Sequence, residues 1–281
     1  MQRREFLKHA APAMVLGMLA VRPLLAAASG TPAPSPEAGA GVLLVRWQLR
    51  EMTLPDGTAL VPDAPPRYTI QLLPDGRVLV QADCNGGAGT YSRSDGALAF
   101  HDLVTTLIGC GPASIGAEFT EVLGRVNTFW ITTEASDHLV LHTVDGGTLH
   151  FVPTLHGVTW QWVRFRSGRG DEVVPDDPAR YTLTIGDDGT ARVVAACNHG
   201  EGPARIENES IDLTLTMTQM ACEPGSLGEE YVGYLTEAVS WVIRDGQLHL
   251  SLPMDAGIAS FAPVVPPASP TATPEATPAA R

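Results

Sequence analysis

The sequence predicts a mainly β protein: two tandem α+β modules, each a curved, mostly antiparallel sheet packed on one helix. Three observations carry this. The chain repeats at a spacing of 113 residues: Cys84-Asn85 returns as Cys197-Asn198, Trp47-Gln48 as Trp160-Gln161, and "VPDAPPRYTI" from Val61 as "VPDDPARYTL" from Val174. Each copy has alternating apolar runs on either side of an Asp-Gly turn. Each copy also has one stretch of helical periodicity. Repeats this long are whole domains rather than solenoid units. A module of about 110 residues is large enough to bury its own core. Past Cys-Asn the shift slips by one, so Thr106 to Cys110 pairs with Thr218 to Cys222, as small loop insertions would leave it.

Taken in order, residues 1–28 read as an export signal. Arg3-Arg4 followed by Phe6-Leu7-Lys8 resembles the twin-arginine signal. The apolar run from Ala10 to Val21 is short for a bilayer span. Ala26-Ala27-Ala28 supplies small residues for cleavage after Ala28. No cysteine stands near that site, so a lipid-modified N-terminus is not expected. Residues 29–41 and 264–281 are rich in Pro, Ala, Thr and Ser and read as a linker and a disordered tail. The modules occupy 42–153 and 154–263. The mature chain is expected outside the cytoplasm, in the cell envelope or secreted, with no membrane-spanning helix.

The chain carries 18 basic and 31 acidic residues. Without residues 1–28 it keeps 14 basic and 30 acidic residues, a charge of −16, and no lysine, because Lys8 is the only one. Such a surface is a poor partner for nucleic acid, which needs clustered cations against its phosphates. It is equally poor for anionic lipid.

Within module one, "RYTIQLLPDGRVLVQADC" gives two strands around Pro74-Asp75-Gly76. Tyr68, Ile70 and Leu72 share one face; Val78, Val80, Ala82 and Cys84 share a face of the next strand. Tyr181, Leu183 and Ile185, then Val193, Ala195 and Cys197, repeat this, so both cysteines take the inward parity. Phe119, Val122, Leu123 and Val126 fall at i, i+3, i+4 and i+7, as do Tyr231, Tyr234, Leu235 and Ala238. That is one amphipathic helix per module. Strands follow in "FWITT", "HLVLHTVDGGTLHFV", "SWVIRDGQLHLSLP" and "IASF".

These residues, in this order, resemble the META domain family, which includes bacterial heat-shock lipoproteins linked to novobiocin tolerance. The motif residues are Asn85 and Asn198 after cysteine, Thr106 and Thr218 in Thr-x-x-x-Cys, the Glu-aromatic helix, and a closing strand ending in Phe. "TMTQMACEP" fits the family's Thr-x-x-Ala-Cys stretch; module one has Gly109 where that alanine stands. Module two has Pro203-Ala204 where module one keeps Thr90-Tyr91. The resemblance spans about residues 42–263 and implies a half-barrel-like sheet with a helix, an envelope location, a role in stress tolerance and no established reaction.

Four cysteines in an exported chain read as two disulfides. The repeat favours Cys84–Cys110 and Cys197–Cys222, with separations of 26 and 25 residues. A crossed pairing, Cys84–Cys197 with Cys110–Cys222, also obeys the repeat. Reduced thiols packed as small buried hydrophobes are the third possibility, since twin-arginine substrates fold before export. Asn85-Gly86 and Asn198-His199-Gly200 are read as strand-ending turns that tolerate positive φ.

No catalytic, cofactor or metal motif stands out. The chain lacks Gly-x-Ser-x-Gly, His-Glu-x-x-His and a Gly-Lys-Ser/Thr loop. His138, His142 and His150 lie on neighbouring strands but only His249 persists in module two, and copy one has Gly86 where His199 stands. Asp176-Asp177 and Asp187-Asp188 fall in turn contexts. Trp47, Trp130, Trp160, Trp162 and Trp241 are assigned to core packing rather than a ligand groove. The expected function is a non-enzymatic module binding a protein, peptide or small hydrophobic molecule. The alternative is an extracytoplasmic hydrolase assembled from acidic and histidine residues.

Overall fold

The structure is a computed structural model that describes residues 44–133 and 136–265. The export signal, the linker and the tail from residue 266 onward lie outside the described residues. Among the described residues no helix is long and apolar enough to cross a membrane.

Module one runs β1 (Arg46–Thr53), β2 (Ala59–Leu60), β3 (Tyr68–Leu72), β4 (Arg77–Ala82), β5 (Asn85–Ser94), β6 (Ala97–Thr105), α1 (Gly116–Leu123), β7 (Val126–Thr133), β8 (Asp137–Thr143) and β9 (Thr148–Thr154). Module two runs β10 (Thr159–Ser167), β11 (Glu172–Val173), β12 (Tyr181–Ile185), β13 (Thr190–Ala195), β14 (Asn198–Glu207), β15 (Ser210–Leu213), β16 (Thr216–Met217), α2 (Gly228–Glu237), β17 (Ser240–Arg244), β18 (Gln247–Ser251) and β19 (Gly257–Pro263).

The sheets are closed, which corrects the half-barrel expectation. β1 pairs with β3 on one edge and with β9 on the other, so eight strands form a ring. β10 does the same with β12 and β19. All of these pairings are antiparallel, and eight strands enclose an interior that side chains just fill. Strands β5, β6, β14 and β15 are not among those the sequence predicts, and neither are the two-residue β2, β11 and β16. "NGGAGTYSRS" and "NHGEGPARIE" are rich in glycine and polar residues and show no apolar alternation, because neither strand buries a full face.

The interior packs Trp47, Leu49, Ile70 and Phe119 in module one and Trp160, Trp162, Leu183 and Tyr231 in module two, all fully buried. Both helices bear the expected apolar stripe, but α1 ends at Leu123 and Val126 opens β7 instead, still buried. Each ring is thinnest where its helix is inserted in the chain. β6 and β7 share one register pair, Ala97 with Thr128, and β15 and β17 share Ser210 with Ser240. Phe119 meets Tyr68 edge-on at 5.9 Å, and Tyr231 stacks on Trp162 at 5.6 Å. The same tyrosine strand anchors each helix start. Ile115 N–H donates to the Tyr68 hydroxyl at 3.1 Å and Leu227 N–H to that of Tyr181 at 3.2 Å, satisfying an otherwise orphaned amide. Gly116 and Gly228 open the helices because a Cβ there would press on the Ala82 or Ala195 carbonyl at 3.0–3.1 Å.

Four residues, 155–158, join the modules, and they are packed. Leu155 and Val158 are buried, and Gly157 N–H donates to the Ile185 carbonyl at 2.8 Å. The Asp137 carboxylate, 3% exposed, accepts from Asp245 N–H at 2.6 Å and from the Thr133 hydroxyl at 3.1 Å. Ser136 Oγ accepts from Ile243 N–H at 3.2 Å. Module one thus caps the β17–β18 hairpin of module two. The Arg46–Asp187 ion pair at 2.8 Å is the second link, with Asp187 two-thirds exposed.

Burial decides which link matters. Asp137→Ala removes a carboxylate that is 3% exposed together with the hydrogen bonds it accepts from Asp245 N–H and the Thr133 hydroxyl, and is expected to lower stability by about 2 kcal/mol. Hydrogen exchange should show the loss around β17 and β18. Asp187→Asn is expected to lower stability by less than about 1 kcal/mol, because Asp187 is two-thirds exposed and Arg46 keeps its Nε bond to the Thr69 hydroxyl.

Candidate functional site

Each module has one feature that its core does not require: a stapled corner on the outside of the sheet. β4 passes to β5 through two residues, since Ala82 pairs directly with Asn85. Asp83 takes φ 59°, and Ala196 takes the same φ in module two. That left-handed residue breaks the strand alternation and turns the cysteine outward. Cys84 is exposed and Cys197 half-buried, which corrects the inward parity. The positive φ therefore belongs to the residue before cysteine and not to Asn85, Gly86, Asn198 or Gly200.

The disulfides are Cys84–Cys110 and Cys197–Cys222, with Cα atoms 5.5 and 5.6 Å apart. The crossed and reduced alternatives are not what the structure contains. The asparagine ties the rest of the loop. Asn85 Oδ1 accepts from the Thr106 hydroxyl at 2.9 Å and from Ile108 N–H at 2.7 Å. Asn85 Nδ2 donates to the Ile108 carbonyl at 2.9 Å and to Cys110 Sγ at 3.2 Å. Asn198 repeats all four bonds with Thr218, Met220 and Cys222 at 2.7–3.3 Å. A second N–H reaches the same sulfur: Cys84 N donates to Cys110 Sγ at 3.2 Å and Cys197 N to Cys222 Sγ at 3.3 Å. Only a carboxamide offers two acceptor lone pairs and two donors from one planar group. The spacing Cys-Asn to Thr-x-x-x-Cys is thus explained by side-chain bonding, not by turn conformation.

The stapled loop carries apolar side chains into solvent. In module one Leu107 is 96% exposed, and Val104 and Ile108 are also exposed. Module two presents Gln219 and the exposed Met220 in the matching places. Beside it, on the outer face of β12 to β14, runs an open groove of about 730 Å³ with Thr182, Thr184, Arg192, His199 and Glu201 along it. The matching groove of module one is about 340 Å³ and has Thr69, Gln71, Gln81 and Arg46.

The other sequence candidates lie elsewhere. His138 and His142 sit half-buried on the outer face of β8, and His150 is exposed on β9. Among the described residues no three His, Cys, Asp or Glu side chains gather as metal ligands. Asp177 Oδ1 accepts from Ala179 N–H and caps a short turn, and Asp188 accepts from Thr190 N–H. Four tryptophans are buried, but Trp130 is 63% exposed, which corrects its core assignment. Its neighbours Phe129 and Ile131 pair with Leu141 and Leu139, so the residue between them must face out.

The chain belongs to the META domain family, which matches it twice, at residues 42–154 and 153–262. Among solved structures, the solution structure of a protein from Burkholderia xenovorans is 25% identical; the match covers 45% of this chain and 94% of that one with a TM-score of 0.37. A protein from Bacteroides vulgatus, of a family of unknown function, is 16% identical over 37% of this chain and 90% of its own, with a TM-score of 0.30. No curated protein sequence matches the chain.

If the asparagine acts through its side chain, Asn85→Gly is expected to destabilise as much as Asn85→Ala, by about 2 kcal/mol in a denaturant titration. Recovery with glycine would instead point to the backbone. A second expectation concerns pH. Burial pushes the His156 and His249 pKa values down in the folded protein. The unfolded chain then binds protons first, so stability is full above about pH 6.5 and falls as pH drops through the folded values. Replacing both histidines with glutamine should flatten the midpoint-versus-pH curve in that window.

Proposed function

We propose that this is an exported, non-enzymatic binding protein of the cell envelope that contributes to stress tolerance, with the stapled loops as its contact surface. One observation carries the reading: Leu107 and Ile108 stand exposed on a segment fixed by a disulfide and four asparagine bonds, next to the exposed Val104 at the end of β6. Single exposed apolar residues are ordinary. A fixed cluster is different, because its ordering entropy is already spent before a partner arrives. The ligand class that fits is a protein or peptide segment with apolar side chains, or a small hydrophobic molecule. The acidic charge and the absence of lysine after Lys8 speak against nucleic acid. The disulfides fit an oxidising compartment, and the twin-arginine-like start supplies the route to it.

The test compares the mature chain with a Leu107→Ser, Ile108→Ser double variant on an array of apolar and polar peptides. The parent is expected to retain apolar peptides selectively and the variant to lose them, with unfolding midpoints within about 0.5 kcal/mol of each other. Equal retention by both proteins would move the contact surface elsewhere. A turnover abolished by one conservative substitution would replace the binding reading with an enzymatic one.

A further inference from the structure

We infer that the Cys84–Cys110 bridge is a thiol–disulfide exchange site, with Cys84 as the sulfur attacked by a small external thiol and Cys110 as the leaving sulfur. This is independent of the binding reading above, since it uses none of the exposed apolar side chains.

Three features of the corner favour this direction, against one that opposes it: the Ile108 carbonyl oxygen lies 3.4 Å from Cys110 Sγ and 3.7 Å from Cys84 Sγ. The first is access: Cys84 is exposed on the two-residue turn, whereas Cys110 is half-buried. The second is polarity. The Cys84 backbone N–H and the Asn85 carboxamide N–H both donate to Cys110 Sγ, each at 3.2 Å. Hydrogen bonds to a sulfur favour its charged form, and exchange is faster when the departing thiolate is the better stabilised one. The third is charge. Asp83, the carboxylate next to Cys84, is paired with the Arg67 guanidinium at 3.3 Å. That pairing lowers its repulsion of an incoming thiolate.

The step balances without any further reagent. An external thiolate attacks Cys84 Sγ along the S–S axis. The S–S bond breaks, a mixed disulfide forms at Cys84, and Cys110 leaves as a thiolate held by the two N–H donors. Return attack by Cys110 on the mixed disulfide expels the external thiolate and restores the bridge. Module two keeps both donors on Cys222 Sγ, but Cys197 is half-buried rather than exposed. Its bridge is built for the same polarity with poorer entry.

The experiment incubates the oxidised mature chain with excess reduced glutathione near neutral pH. The reaction is quenched with acid and the glutathione adducts are mapped by peptide mass. The expected result is an adduct on Cys84 and not on Cys110, formed at least several-fold faster than any on module two, with native circular dichroism throughout. Asn85→Asp keeps the acceptor oxygen and removes the donor to sulfur. It is expected to slow adduct formation about tenfold, the effect of one hydrogen bond to a charged group. Should that variant fail to fold, Cys84→Ser leaves Cys110 alone under the remaining donors, where its thiol should titrate below the usual value of about 8.5. Adducts on Cys110, no adduct on the folded chain, or an ordinary Cys110 titration would each overturn the assignment.

Discussion

The double pairing of the first strand in each module holds the rest in place. β1 and β10 bond to a neighbour on each edge, and without that the eight strands would be an open, twisted sheet with two bare edges. Closure needs a bend, and the two modules bend at the same point. The register of β1 against β9 shifts between Leu49 and Glu51, and that of β10 against β19 between Trp162 and Arg164, 113 residues later. A bulge there sharpens the local twist. Trp47 and Trp160 are fully buried on these strands, opposite Pro153 and Pro263 in the closing strand.

With the core complete inside the ring, the outer corner has its own logic. The Asn85 and Asn198 knots contribute nothing to apolar burial. They fix a loop that would otherwise be a long, mobile connection into the helix, and they orient one disulfide sulfur toward two donors. The stapled corner therefore stands outside the ring, where loss of a contact does not open the core.

Where the two copies differ, the differences have work to do. Arg46 and Asp187 have Thr159 and Pro74 as their counterparts, and they meet across the modules. The hairpin between β7 and β8 is longer than that between β17 and β18, and the extra length brings Ser136 and Asp137 onto module two. In the cores, Leu49 and Phe119 become Trp162 and Tyr231, and those two rings stack in module two, a contact that leucine cannot make. At the loop tip, Leu107 becomes Gln219, which leaves module one the more apolar face.

The sequence by itself determined the duplication, the helices, the Asp-Gly hairpins and the pairing that symmetry favours among the cysteines. Those features depend on spacing and on local apolar period, which a linear chain displays. It did not reveal ring closure, the outward cysteines, the exposed Trp130 or the Asp137 cap. Strands β5 and β14 bury no continuous face, so they have no period to read. The left-handed Asp83 and Ala196 reset the alternation within two residues, and nothing in either side chain announces it. Asp137 looks like any surface carboxylate until another module supplies the amide it accepts from. These were settled only in three dimensions, because closure, turn conformation and burial of a charge depend on partners far away in sequence.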